Sequence, residues 1–73
     1  MDSSNHLAQQ VKSLRKQYGL TQEELSYKSG VGLRFVRELE QGKLTLRMDK
    51  VNQLLSLFNM HLVAETLEKE DDV

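Results

Sequence analysis

Two helix-boundary signals in the middle of the chain constrain its fold more than any other feature. Thr21 and Glu24 form a capping box, in which a hydroxyl and a carboxylate each satisfy a backbone N–H group at the start of a helix. Leu20 and Leu25 flank this start at the positions of a hydrophobic staple. Gly30 can adopt a positive φ, so it is predicted to end the helix after about two turns.

A second short helix is predicted directly after the first, from residue 32 or 33 to about residue 40. Val36 and Leu39 are expected to face inward, and only the glycine-containing residues 29–32 separate the two helices. Two short helices joined by such a turn are typical of a helix-turn-helix unit.

Longer helices are predicted on both sides of this unit, over about 5–18 and 46–58. Thr45 is the expected N-cap of the later helix, and Asn59 is expected to close it in the left-handed region. The apolar positions that recur at helical spacing are Leu7, Val11, Leu14 and Tyr18 in one segment, and Met48, Val51, Leu55 and Phe58 in the other. The predicted fold class is therefore all-α, a small four-helix domain.

Residues 60–67 are predicted to form a strand, because they are apolar and β-branched without a helical stripe. A lone strand leaves backbone groups unpaired, so we expect it to pair antiparallel with the same strand of a second copy. The residues expected at this homodimer interface are Met60, Leu62, Val63, Ala64 and Leu67. A fifth helix or a frayed extension is the alternative. The predicted boundaries are 1–59 for the helix-turn-helix domain, 60–68 for the dimerising strand and 69–73 for a flexible acidic tail.

The small size of the chain also favours an oligomer. A chain of 73 residues buries a modest core, and without cysteine it has no disulfide to compensate.

The opening MDSSNH does not resemble a signal peptide, and no apolar run is long enough to span a bilayer. A cytoplasmic, nucleoid-associated location is expected.

Charge is distributed unevenly along the chain. The formal net charge is −1, but residues 12–50 hold nine Lys or Arg against five Asp or Glu, which is a net +4. Residues 51–73 hold one Lys and five acidic residues, a net −4. A clustered basic segment can form a local positive face despite an acidic total. Charge alone leaves an ordinary mixed surface as an equal alternative.

Residues 14–58 resemble the Xre/lambda-repressor-type family of helix-turn-helix proteins. The resemblance is carried by Arg15, by GLTQEEL at residues 19–25, by GVG at 30–32 and by VRELEQG at 36–42. It implies sequence-specific binding to duplex DNA, with the third helix in the major groove. One departure is Gly32 at the N-cap of that helix, where the family often has a hydroxyl residue that can reach a phosphate.

The outward face of the third helix holds the predicted base-reading residues. Arg34 could bond guanine O6 and N7, Leu33 could touch a thymine methyl, and Glu38 could accept from cytosine N4. Arg37 is expected to contact a base or a phosphate, with a solvated charge as the alternative for both arginines. Phe35 could pack inward or project toward the groove, and packing is the commoner outcome for phenylalanine.

Further contacts concern the DNA backbone and the joint between helices. Gln22, in the first turn of the second helix, is expected to bond a phosphate, with a solvated amide as the alternative. The resemblance also places Lys43 and Arg47 near the sugar-phosphate backbone, where they would add affinity without specificity. Arg15 and Glu40 match positions that pair as a structural salt bridge in the family.

Within this family, residues 34–43 and 49–55 resemble the HipB-like antitoxins. That resemblance implies a homodimer on a palindromic operator, repression of its own operon, and binding to a HipA-like Ser/Thr kinase toxin. A stand-alone repressor without a toxin, or a protein-interaction module that has lost DNA binding, is the alternative. An enzyme is not expected, since His6 and His61 have no second histidine or cysteine at ligand spacing, and the sequence has no nucleophile elbow or glycine-rich phosphate loop. No cofactor or metal site is predicted.

Overall fold

Four α-helices account for most of residues 3–64, which are the part of the chain described by the structure, a computed structural model. They are α1 (Ser3–Gln17), α2 (Gln22–Ser29), α3 (Leu33–Glu40) and α4 (Met48–Ser56). The predicted four-helix architecture is confirmed, and none of these helices is long and apolar enough to cross a membrane. The first helix begins earlier than predicted and leaves Tyr18 just outside its end.

The boundaries of α2 follow the sequence signals. The Thr21 hydroxyl accepts a hydrogen bond from the Glu24 N–H (3.0 Å), and the Thr21 N–H donates to a Glu24 carboxylate oxygen (2.8 Å). Gly30 ends the helix with φ +83°. The predicted capping box and glycine stop are both confirmed.

Gly30→Ala is expected to lower the free energy of unfolding by about 1–3 kcal/mol. Any Cβ at this positive φ is strained, and it would lie 2.8 Å from Nε2 of Gln53. Gln53 uses that nitrogen to donate to the Ser29 carbonyl (3.0 Å), a bond that ties α4 to the turn. Urea unfolding monitored by circular dichroism measures the loss.

Gly32→Ala is the matched control for this substitution. Gly32 has φ −68°, and a Cβ there would meet no atom within 4 Å. We expect a change below about 1 kcal/mol, since alanine is a poorer N-cap but loses less entropy on folding. Equal losses at the two glycines would contradict the strain assigned to Gly30.

The predicted start of α4 is wrong. The helix begins at Met48, and Arg47 instead of Thr45 occupies the N-cap position, with an extended backbone and no side-chain bond to the helix. Leu46 belongs to the preceding loop and packs against the core, so the helical conformation begins only after Arg47. Asn59 has φ +59°, which confirms the predicted left-handed residue after the helix.

The core lies where the four helices meet. Leu25, Leu39 and Leu54 are its largest fully buried side chains, one from each of α2, α3 and α4. The other buried apolar residues in this cluster are Val11, Val31, Val36, Val51, Leu55 and Phe58. This packing holds α3 by one face and leaves its opposite face free of the core.

The predicted strand is not seen within residues 60–64, which lie outside any helix or strand. Met60 and Leu62 pack against the core, and the Leu62 N–H donates to Oδ1 of Asn52 (2.7 Å). A strand requires a ladder partner, and a single chain offers none here. Leu67 and the predicted acidic tail, 69–73, lie outside the described residues, and the predicted homodimer interface remains a prediction.

Candidate nucleic-acid interface

The third helix divides into a buried and an exposed face. Val36 and Leu39 are fully or almost fully buried, while the Arg34 side chain is 92% exposed and that of Arg37 is 52% exposed. This division follows the spacing of the apolar residues in a short helix of high amphipathicity. Leu33 at its N-terminus is half-buried. Arg34 and Arg37 therefore lie on the outward face that was predicted for them.

Glu38 joins two cations on this face. One of its carboxylate oxygens lies 3.4 Å from Nε of Arg34, one turn earlier in α3, and 3.4 Å from Nζ of Lys43 in the following loop. The Glu38 side chain is 28% exposed. The structure thus brings together three of the predicted DNA-contacting residues, Arg34, Glu38 and Lys43.

Two further ion pairs extend the surface. Arg37 Nη2 lies 3.8 Å from a Glu23 carboxylate oxygen, which connects α3 with the first turn of α2. Arg47 donates through two nitrogens to the two oxygens of Asp49, at 2.7 and 3.1 Å. The hydrogen bond from the Arg47 guanidinium lowers the pKa of Asp49 below its usual value. We use the term recognition cations for the four residues Arg34, Arg37, Lys43 and Arg47.

A shallow groove between α3 and the start of α4 brings Arg47 near the outward face of α3. Its lining includes Arg34, Glu38 and Arg47, together with Gly32 at the helix start. Lys50, which the sequence analysis did not select, also lines this groove. Phe35 lines it as well and packs partly against the core, in agreement with the commoner outcome expected for phenylalanine.

A buried cluster fastens the other end of α3. Arg15 donates from Nε and Nη2 to the two oxygens of Glu40, at 2.7 and 3.0 Å, and from Nη1 to the Leu20 carbonyl at 2.9 Å. The Glu40 side chain is only 2% exposed. Its hydrogen bonds and negative charge raise the pKa of Arg15 above the usual value. The structure therefore brings the predicted Arg15–Glu40 pair together.

Gln22 belongs to the same cluster. Its amide Nε2 donates to Oε1 of Glu40 at 3.1 Å, and the side chain is half-buried. This bond orients an amide predicted to meet a phosphate, and that phosphate contact remains a prediction. No local pattern predicts the Gln22–Glu40 contact, because the two residues are far apart in the chain.

The acidic partners of the recognition cations were also missed. Glu38 follows Arg34 at the i,i+4 spacing that allows a helical ion pair, so that contact could have been predicted. Glu23 and Arg37 come from different helices, and their pairing depends on how α2 and α3 pack.

Comparison with known proteins agrees with this geometry. The family model HTH_3, described as helix-turn-helix, matches residues 11–64. The uncharacterized HTH-type transcriptional regulator y4mF of Sinorhizobium fredii (strain NBRC 101917 / NGR234) is 49% identical over 45 residues, which cover 62% of this chain. The chain spans 59% of the length of that relative. With the two short helices, the tight turn and the matched segment all in place, the chain belongs to the HTH_3 family of Xre-type helix-turn-helix domains.

Proposed function

We propose that this protein is a sequence-specific DNA-binding transcriptional repressor that inserts α3 into the major groove. The observation that carries the proposal is the exposed arginine face of α3 on a helix-turn-helix scaffold. In this motif, the N-terminal part of the second helix contacts base edges while the first helix crosses the DNA backbone. The name of the Sinorhizobium relative, a transcriptional regulator, supports the same function.

The proposed roles divide into contacts with base edges and contacts with the DNA backbone. Leu33, Arg34 and Glu38 are assigned to base edges, where a bidentate arginine–guanine contact contributes about 1–3 kcal/mol of discrimination. Lys43 and Arg47 are assigned to phosphates, which position the domain without reading sequence. Gln22 is assigned to a phosphate and Arg37 to a base or a phosphate. Gly32, at the N-cap of α3, lies at the same end of the interface but has no side chain to offer the DNA.

The test is a fluorescence-anisotropy titration with the DNA upstream of the protein's own gene. Arg34→Ala/Arg37→Ala is expected to lower affinity for that DNA by about 30-fold or more, because two contacts with base edges or phosphates disappear together. Random-sequence duplex of equal length reports the sequence-independent part. Both duplexes are titrated at 50 and 200 mM salt, since phosphate contacts weaken steeply over this range.

Lys12→Ala/Lys16→Ala is the matched control, since it removes the same charge from the exposed side of α1. We expect its loss of affinity to be small and similar for both duplexes. Equal losses in the two double variants would contradict the reading role of α3. A folded wild-type chain that binds neither duplex would contradict DNA binding and favour a protein-interaction module.

The proposal includes a homodimer on a palindromic operator. Exposure alternates along residues 60–63: Met60 and Leu62 are half-buried, whereas His61 and Val63 are exposed. This is the pattern of a strand, whose successive side chains point to opposite faces. Two copies paired through this segment would present two recognition helices about 34 Å apart, the spacing of successive major grooves on one DNA face.

We further propose the role of a HipB-like antitoxin, on the resemblance of residues 34–43 and 49–55 alone. Such a protein would act at the nucleoid, repress its own operon, bind a HipA-like kinase and contribute no catalytic step. Co-expression with the product of the adjacent gene tests the role. Stable co-purification of a HipA-type kinase supports it, whereas a kinase that does not bind leaves the chain a stand-alone repressor.

A further inference from the structure

Each of the four recognition cations already has a carboxylate partner in the free protein. Glu38 pairs with both Arg34 and Lys43. Glu23 pairs with Arg37, and Asp49 pairs with Arg47. Four cations and three carboxylates give these ion pairs a combined formal charge of only +1. A surface that attracted DNA through charge alone would keep its cations away from fixed anions.

These pairs contribute little to folding. An exposed ion pair is typically worth about 0–1 kcal/mol, because water screens it and holding the side chains costs entropy. At least one partner in every pair is about half exposed or more. The larger effect of these pairs is therefore on the affinity of the four cations for other anions, such as DNA phosphates.

We propose that Glu23, Glu38 and Asp49 are intramolecular competitors of DNA phosphates, which keep the sequence-independent affinity of this protein low. The proposal rests on the DNA-binding function proposed above. It makes three acidic residues determinants of how strongly this protein binds DNA of any sequence.

The competition follows from simple electrostatics. A cation that moves to a phosphate gives up its carboxylate, and a carboxylate that stays within 4 Å of the cation repels the same phosphate. Charges much closer than the Debye length, about 8–10 Å at physiological ionic strength, are screened only in part by salt, so some of this repulsion persists. Binding to random DNA depends almost entirely on phosphate contacts, so it carries the full cost. Base contacts by Leu33 and Arg34 add to the specific complex alone.

Glu23→Gln/Asp49→Asn tests the proposal. Neither residue is assigned a contact with DNA, whereas Glu38 is, so Glu38 is left intact. We expect affinity for a random-sequence duplex at 50 mM salt to rise about three- to tenfold, from the loss of two exposed pairs. The salt dependence should also steepen, by up to about 0.9 in log–log slope for each cation that gains a phosphate.

Glu24→Gln is the matched control for Glu23→Gln. It removes the same charge from the same turn of α2, and glutamine can keep the capping-box bond to Thr21. In the described residues, none of the ion pairs within 4.0 Å involves Glu24. We expect Glu24→Gln to raise affinity less than Glu23→Gln does. In an Arg37→Gln background, the gain from Glu23→Gln should disappear.

Other outcomes overturn the proposal in distinguishable ways. Equal gains from Glu23→Gln and Glu24→Gln would mean that only total charge matters. A loss of affinity would mean that the carboxylates orient the arginines for DNA. Wild-type protein that binds its upstream DNA, with variants that match it on random DNA, refutes this inference and leaves the proposed function standing. Wild-type protein that binds no duplex refutes both.

Discussion

Glu40→Ala is expected to lower the free energy of unfolding by about 3–5 kcal/mol, the usual cost of removing one partner of a buried ion pair. The substitution leaves the Arg15 guanidinium, whose side chain is 13% exposed, without the carboxylate that receives two of its hydrogen bonds. It also removes the acceptor of the Gln22 amide. A domain of this size has about 4–11 kcal/mol of stability in total, so a thermal melt should shift by about 15 °C or more.

Two variants separate a buried charge from other causes of this loss. Glu23→Gln breaks an exposed pair and should cost less than about 1 kcal/mol. Arg15→Met/Glu40→Leu removes both buried charges together and should recover more than half of the loss caused by Glu40→Ala. If Glu40→Ala cost no more than Glu23→Gln, the buried cluster would not hold α1 against α3.

Val63→Pro is expected to separate the proposed dimer and to lower affinity for a palindromic operator by about 10²–10⁴-fold. Linked binding modules exceed the affinity of one module by about this factor. Successive N–H groups of a strand point to opposite edges, and the Leu62 N–H is already directed at Asn52. The neighbouring Val63 N–H would therefore face the partner strand, and proline removes that donor while keeping Leu62 extended.

Val63→Thr is the matched control, because it keeps both the N–H group and a β-branched side chain. Light scattering should show a dimer for the wild type and for Val63→Thr, and a monomer for Val63→Pro. All three should have similar helical circular dichroism, since Val63 is 71% exposed. A dimer that survives Val63→Pro would contradict strand pairing at this position.

Local sequence signals predicted the helix-turn-helix well. The capping box at Thr21 and the stop at Gly30 depend on residues that are close in the chain, so the structure reproduces them. The start of α4 depends instead on Leu46 packing against the core from the loop, and no local signal reports that contact. The capping preference of Thr45 was therefore misleading.

In the candidate site, too, the features that depend on local sequence were predicted and the contacts between helices were not. Arg34 and Arg37 were expected on the outer face of α3 from helical spacing, and they lie there. The bond between Gln22 and Glu40 and the pairing of Arg37 with Glu23 bring different helices together. Contacts of this kind follow from the angles between helices, which composition and periodicity do not determine. The predicted pairing of residues 60–67 would require a second chain, so a single copy does not test it.

The buried Arg15–Glu40 pair also bears on how such a protein can evolve. Either residue changed alone leaves a charge stranded among buried side chains, so a lineage that drifts toward an apolar pair must pass through a poorly folded intermediate. The outward residues of α3 face no such barrier. Arg34 is largely exposed and contributes little to stability, so it can change in a single step; in the role proposed for it, that change would alter the DNA sequence that is bound. The architecture thus lets recognition diversify while the framework beneath it stays fixed.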